Sequence, residues 1–218
     1  MRIQRALVIG AGSGVGKATA DALREAGVQV LASGSDRDAT DPAQVAQLLA
    51  EADPDLVVVA AGTRPRMAAI EEHSWESFSA PWNVDVKITY EVGRAVLTGP
   101  LRPGSTVVIV SSGAGLNPNG SPMSGGYAGA KRMQMFMTSY LQRQSDAREL
   151  GIRFVAMAPM QFIVGTRIGE AATAAYGAGD WPVPLAPAGV ADAILSVAAG
   201  DEHRGSTIAV RGEGFEVI

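Results

Sequence analysis

Apolar residues fall along this chain in short continuous runs, and most runs are followed by a stretch in which they recur every three or four positions. The runs cover residues 6–9, 28–32, 56–61, 106–110, 152–157 and 206–210. A run with little polar alternation is what a strand covered on both faces shows. Residues 17–26 carry Ala18, Ala22, Leu23 and Ala26 at helical spacing, and Gly27 stands where a helix-ending glycine belongs. Asp41 and Pro42 read as the N-cap and first position of a second helix whose face is Val45, Leu48 and Leu49. Longer periodic stretches cover 74–97, interrupted at Pro81, and 127–150, closed by Gly151, with a further helix at 190–199. Strands alternating with helices from end to end predict an α/β fold, a doubly wound parallel sheet in a Rossmann-like three-layer arrangement, as a single domain over 1–218. Residues 165–189, rich in Gly, Ala and Pro, read as a loose surface excursion or lid. Ligands of such sheets bind beyond the carboxyl ends of the strands. Chemistry is therefore expected at Gly10, Ser33, residues 60–62, Ser111–Ser112 and residues 158–160.

The first strand runs into Gly10, Gly12, Gly14 and Gly16, with Ser13 and Val15 between the last three. Strand, glycine turn and helix in succession leave free helix N–H groups with no Cβ atoms to block a pyrophosphate, and the helix dipole favours its charge. A dinucleotide seat is the first expectation, and a glycine-rich connector without a ligand is the alternative.

Composition narrows the classes. The chain has 218 residues, 47% of them hydrophobic and 18% charged, enough for a full core and unlike a disordered chain. It has no cysteine, which excludes disulfides, zinc–thiolate sites and cysteine nucleophiles and suits a reducing compartment. With two histidines besides, no metal site is expected. A net charge of −4 without a basic run argues against a nucleic-acid partner. No apolar stretch reaches membrane-spanning length, and residues 1–5 lack the apolar core of a signal peptide. A soluble cytoplasmic protein with no membrane partner is expected.

Tyr127 and Lys131 are four residues apart at a helix start and so share one face. A phenol ordinarily ionises near ~10, and a neighbouring ammonium favours its charged form. Ser112, at a strand end, could hold the substrate oxygen that the phenol protonates or deprotonates. Taken alone, a Tyr and a Lys so spaced are also what a solvated helix start contains.

Together these residues resemble the short-chain dehydrogenase/reductase family. The pattern Gly10-x-x-x-Gly14-x-Gly16 is similar to that family's nucleotide turn, and Ala60-Ala61-Gly62 to its Asn-Asn-Ala-Gly element. Ser111-Ser112 and Tyr127-Ala128-Gly129-Ala130-Lys131 resemble its catalytic Ser and Tyr-x-x-x-Lys, and Trp82-Asn83-Val84 the segment with its fourth catalytic member, Asn83. The similarity covers about residues 5–166. It implies Tyr127 as general acid/base, Lys131 lowering the Tyr127 pKa and bonding the nicotinamide ribose, Ser112 orienting the carbonyl or alcohol, and Asn83 holding through its backbone a water that links Lys131 to solvent. Hydride would pass between the nicotinamide and a small-molecule carbonyl or alcohol. The resemblance also implies cofactor contacts at Asp38 and Ala39, at Met160 and at Thr166, and a homodimer or homotetramer built on the two long helices.

Three departures stand out. The second strand is followed almost at once by Asp38-Ala39-Thr40-Asp41, without the family's intervening helix. Pro159-Met160 replaces Pro-Gly, so Met160 would crowd the nicotinamide, and Thr166 comes about two residues late. The stretch from Ser112 to Tyr127 is lengthened around residues 117–122. For the cofactor, Gly34 stands where an NAD enzyme usually places a carboxylate, with Ser35 and Arg37 following. Hydroxyl and guanidinium favour the 2′-phosphate of NADP, whereas Asp36 leaves NAD open, and Arg37 could equally be a solvated loop charge. Arg64 and Arg66 could meet a cofactor phosphate or an acidic substrate, or lie in solvent. Tyr176 and Trp181 could line a substrate pocket or anchor the loose region. Rival readings are a non-redox epimerase or lyase with the same Ser-Tyr-Lys set, a non-catalytic nucleotide sensor, and a flavin or other nucleotide binder.

Overall fold

The structure is a computed structural model, describing residues 3–99, 101–117, 123–176, 184–200, 202–212 and 214–218. Strand β1 (Arg5–Ile9) pairs in parallel with β2 (Gln29–Ser33) on one side and with β3 (Leu56–Val59) on the other. The sheet continues through β4 (Thr106–Val110), β5 (Arg153–Pro159) and β6 (Thr207–Arg211), all parallel, to the antiparallel β7 (Gly214–Val217). The order is β2-β1-β3-β4-β5-β6-β7. The winding reverses between β1 and β3, so a crevice opens there beyond the strand ends.

Alternate residues of β1 supply the two faces. Ala6 and Val8 pack under α1 (Gly14–Glu25) and α7 (Pro187–Ala199), with Leu23 and Ile194. Leu7 and Ile9 pack under α2 (Pro42–Ala52), α4 (Lys87–Thr98) and α5 (Gly125–Ala147), with Leu48, Val92 and Leu141. Asp41 caps α2 as expected, its side chain accepting from the Ala43 N–H at 2.8 Å. The buried Arg153 guanidinium donates to the Val197 and Ala198 carbonyls at the last turn of α7, tying β5 to that helix where a cation is favoured.

Two expectations need correcting. The loose region contains α6 (Arg167–Tyr176), a helix that its small residues, Gly169, Ala171, Ala172, Ala174 and Ala175, had disguised as loop. The stretch over 74–97, expected as a long helix interrupted at Pro81, is α3 (Trp75–Pro81), a π-helical turn (Trp82–Val86) and α4, so the interruption is a widened turn rather than a stop. Pro81 has no N–H to donate to the preceding turn, and the chain takes up the slack in a wider turn. Trp181 and residues 118–122 lie outside the described residues, as does the side chain of Tyr176.

Candidate active site

A cavity of about 350 Å³ opens at the crevice beyond β1, β3, β4 and β5. Its floor on one side is the glycine turn. Gly10 has φ +90°, and a Cβ there would run into the backbone of Ala61. A Cβ on Gly16 would collide with the Gly10 carbonyl. These two glycines let the turn close on itself and on β3. A Cβ on Gly12, by contrast, meets nothing within 4 Å, so Gly12 keeps open the space above the helix rather than serving the fold. Ser13 is the N-cap of α1 with no side-chain cap bond, and the first turn carries no acidic residue. Ser13, Gly14 and Val15 line the cavity, as do Ala60 and Gly62 after β3. Thr166 closes the turn from above, its methyl 3.1 Å from where a Gly14 Cβ would stand. Its hydroxyl accepts from the Gly169 N–H at 3.0 Å and donates to the Ile163 carbonyl at 2.8 Å, fixing the entry to α6.

The opposite wall is Ser112, Tyr127 and Lys131. Ser111, also at the end of β4, donates its hydroxyl to the Lys131 carbonyl at 2.8 Å and pins α5 to the strand. Ser112 starts a 3-10 turn (Gly113–Leu116) and its Oγ accepts from the Ala114 N–H at 3.2 Å. Tyr127 is buried, with the Lys131 Nζ 5.6 Å from its ring centroid.

Lys131 is held by partners that sequence reasoning missed. Its ammonium lies 3.1 Å from Asp85 Oδ2 and donates to Gln134 Oε1 at 3.0 Å and to the Val110 carbonyl at 3.4 Å. Asp85 is wholly buried, and its Oδ1 accepts from the Thr63 N–H at 2.7 Å. Gln134 Nε2 donates to the Asp85 carbonyl at 3.1 Å and to Thr89 Oγ1 at 2.8 Å. Gly62 leaves room for the carboxylate, because a Cβ there would stand 2.9 Å from Asp85 Oδ2. Burial works against the Lys131 charge, yet Asp85 and Tyr127 outweigh it and hold the ammonium above the usual lysine range.

Asn83, expected at this position, is exposed, outside the cavity, with its Nδ2 donating to Ser79 Oγ at 3.3 Å. The π-helical turn is the reason. Each residue turns a helix by roughly 100°, and the widened turn brings Asp85 rather than Asn83 to face Lys131. The signal was available: Asp85 heads the inward stripe Ile88, Val92 and Val96, where an acid needs a partner.

Other expected cofactor residues lie apart from the cavity. Ser35 and Asp38 are exposed beyond β2, and Asp38 Oδ1 accepts from Thr40. Arg37 Nη1 pairs with Glu51 Oε2 at 2.9 Å, and Asp36 Oδ1 accepts from the Gly34 N–H at 2.9 Å. Ala39 is buried in the core under α2. Ala61 backs the glycine turn. Met160 does not crowd the cavity: it packs on Gly113, where a Cβ would stand 3.0 Å from its Sδ, and Gln161 lines the site instead. Among the described residues no group of three acids or histidines could hold a metal, and no helix is long and apolar enough to cross a membrane.

Comparison with known proteins gives a consistent picture. A sequence model of the family described as "NAD dependent epimerase/dehydratase family" matches residues 6–161. A protein of Sinorhizobium fredii (strain NBRC 101917 / NGR234), an uncharacterized short-chain type dehydrogenase/reductase y4eK, is 29% identical over a 176-residue alignment that covers 72% of this chain and 69% of that one. The crystal structure of a short chain dehydrogenase from Burkholderia cenocepacia J2315 in complex with NADP superposes with a TM-score of 0.77 at 19% identity, over 96% of each chain. That of a small-chain dehydrogenase in complex with NADPH gives 0.80 at 17% identity, over 97% of this chain and 98% of the other. With a family match over more than two thirds of its length, the chain belongs to the NAD dependent epimerase/dehydratase family and is a short-chain dehydrogenase/reductase.

Proposed function

We propose that the protein is an NADP-dependent oxidoreductase acting on a small-molecule carbonyl or alcohol, with Tyr127 as the general acid/base. The observation that carries this reading is the convergence of Ser112, Tyr127 and Lys131 on the cavity that the first turn of α1 also lines. The site fits a dinucleotide on its own terms. Gly12 leaves open space over the helix start, and Gln161, in the cavity wall, has a buried Oε1 without a partner among the described residues. Ser13, Gly14, Val15 and Thr166 would hold the phosphates, and Gln161 the nicotinamide end. Bound there, the nicotinamide supplies or accepts the hydride.

The chain's own residues handle the proton. In reduction, Tyr127 donates its phenolic proton to the carbonyl oxygen while the Ser112 hydroxyl holds that oxygen in place. The phenolate left behind faces the Lys131 ammonium, which Asp85, Gln134 and Val110 hold in place. In oxidation the same groups run in reverse. Two NADP-complexed structural relatives favour NADP over NAD. A net non-redox reaction, epimerisation or elimination, is the second reading, favoured by the family model that matches. The apolar face of Trp82 on the π-helical turn, Tyr90 on α4 and Phe136 and Tyr140 on α5, each at least 41% exposed, supports a homo-oligomer.

Fluorescence titration with NADPH and NADH, followed by a panel of ketones and alcohols read by nicotinamide absorbance, tests this reading. Tighter NADPH binding and cofactor-coupled turnover are expected. Failure to bind either nucleotide refutes it, and product formed without net change in NADPH absorbance selects the non-redox reading.

A further inference from the structure

Among the described residues, the cavity that holds Tyr127 is lined by three cations, Arg64, Lys131 and Arg167, and by no carboxylate. This is unusual in a chain whose 22 acidic residues outnumber its 18 Lys and Arg. The Lys131 charge is answered from behind by Asp85. The two arginines have no such answer. Among the described residues no carboxylate pairs with either, and, unlike Arg66, Arg143 and Arg148, which also have no carboxylate pair, these two stand in the cavity wall.

The backbone on either side of Arg64 is anchored, while its side chain is exposed. The preceding residue, Thr63, has its N–H fixed on Asp85 Oδ1 at 2.7 Å, and the following one, Pro65, is buried. Four residues on, the Ala68 N–H bonds the Met123 carbonyl at 3.0 Å, tying the loop to the segment entering α5. The loop therefore cannot swing away without breaking the network behind Lys131. An anchored backbone keeps the Arg64 guanidinium within reach of the cavity, and its planar fork suits carboxylate or phosphate oxygens. Met67, Phe162 and Ile168 supply apolar wall beside it for a carbon skeleton.

We infer that the substrate is a carbonyl compound or alcohol bearing an anionic group, carboxylate or phosphate, which Arg64 recognises. Arg167, also in the cavity wall at the start of α6, adds a second positive charge. This rests on the reading of the Tyr127 cavity as the substrate site, but its test does not depend on turnover. Binding of malonate, inorganic phosphate and dimethyl malonate is measured by calorimetry, with NADPH saturating and again without it. The wild-type protein is expected to bind one of the two anions at least ~10-fold more tightly than the neutral ester, and which anion wins distinguishes carboxylate from phosphate. Arg64→Gln is expected to abolish that preference while NADPH affinity stays the same, Arg64→Lys to retain part of it, and Arg66→Gln, outside the cavity, to keep it. Equal binding of anion and ester, or an undiminished preference in Arg64→Gln, overturns the inference. A parallel loss of NADPH affinity in Arg64→Gln also overturns it, by giving Arg64 to the cofactor phosphates. A protein that selects the anion through Arg64 yet never binds NADPH would refute the oxidoreductase reading and leave the anion site standing.

Discussion

Where α1 begins, the cavity wall is backbone: glycines, free helix N–H groups and one serine. Across from it the wall is side chains, an ammonium and a carboxylate buried together behind a phenol. The first wall is shaped by leaving atoms out, and its cost is conformational, carried by Gly10 at φ +90°. The second works by forcing charge into the interior, and its cost is desolvation, offset by the contacts among Lys131, Asp85, Gln134 and Thr63. The difference predicts that damage to one wall is read as lost cofactor affinity, and damage to the other as lost stability or proton transfer.

The sharpest way to break that contrast is Asp85→Ala. Leaving the buried Lys131 ammonium without its carboxylate is expected to cost about 3–5 kcal/mol of stability, measured by denaturant unfolding at pH 7. The pH dependence has a definite sign. Lys131 is held above its unfolded value, so the stability it contributes is fully present below about 10.4 and is lost as pH rises through the folded value. Wild-type stability should therefore keep the full lysine contribution from pH 7 to about 10 and lose it above. In Asp85→Ala, where burial is no longer offset by the carboxylate, the folded protein sheds the Lys131 proton and the gap to wild type narrows as pH rises toward about 10. A gap that stays level up to pH 10 contradicts the role of Asp85 in holding the ammonium charged.

The glycine wall sharpens the comparison from within. Gly16→Ala drives a methyl group onto the Gly10 carbonyl and should destabilise the protein by about 1–3 kcal/mol, lowering its Tm. Gly12→Ala meets no atom of the protein, so its Tm should hold while NADPH affinity falls about tenfold. If the two variants lose stability equally, Gly12 serves the fold and not a ligand. Smallest is the effect at Arg37, which Glu51 already engages. Arg37→Ala should weaken NADPH a few-fold more than NADH, and Glu51→Gln, by freeing the guanidinium, should tighten NADPH. Equal weakening of both nucleotides by Arg37→Ala removes Arg37 from the 2′-phosphate.

The two walls were not equally legible in the sequence. The glycine turn could be read because backbone geometry forces residue type at fixed spacing, and the flanking runs 6–9 and 17–26 gave its strand and helix. Tyr127, Lys131 and Ser112 could be read only together with the glycine turn, since the four-residue spacing of Tyr127 and Lys131 alone is also that of a solvated helix start. Asp85 could not be reached by motif matching, since its inward position depends on a π-helical turn that shifts the register after Pro81. Asn83, which looked right in the linear pattern, faces out for the same reason. Arg64 and Arg66 are alike in sequence, and only the anchored course of the loop puts Arg64 in the cavity wall. The antiparallel β7 escaped notice because its four residues, Gly214–Val217, are all exposed and carry no continuous apolar run.

Tyr127→Phe, compared with wild type in NADPH affinity and in turnover of one carbonyl substrate, tests the division of labour between the walls most directly. The expected result is NADPH affinity within about twofold of wild type and turnover reduced by at least ~100-fold. Turnover that survives the loss of the phenolic hydroxyl would contradict the assignment of Tyr127 as the proton donor.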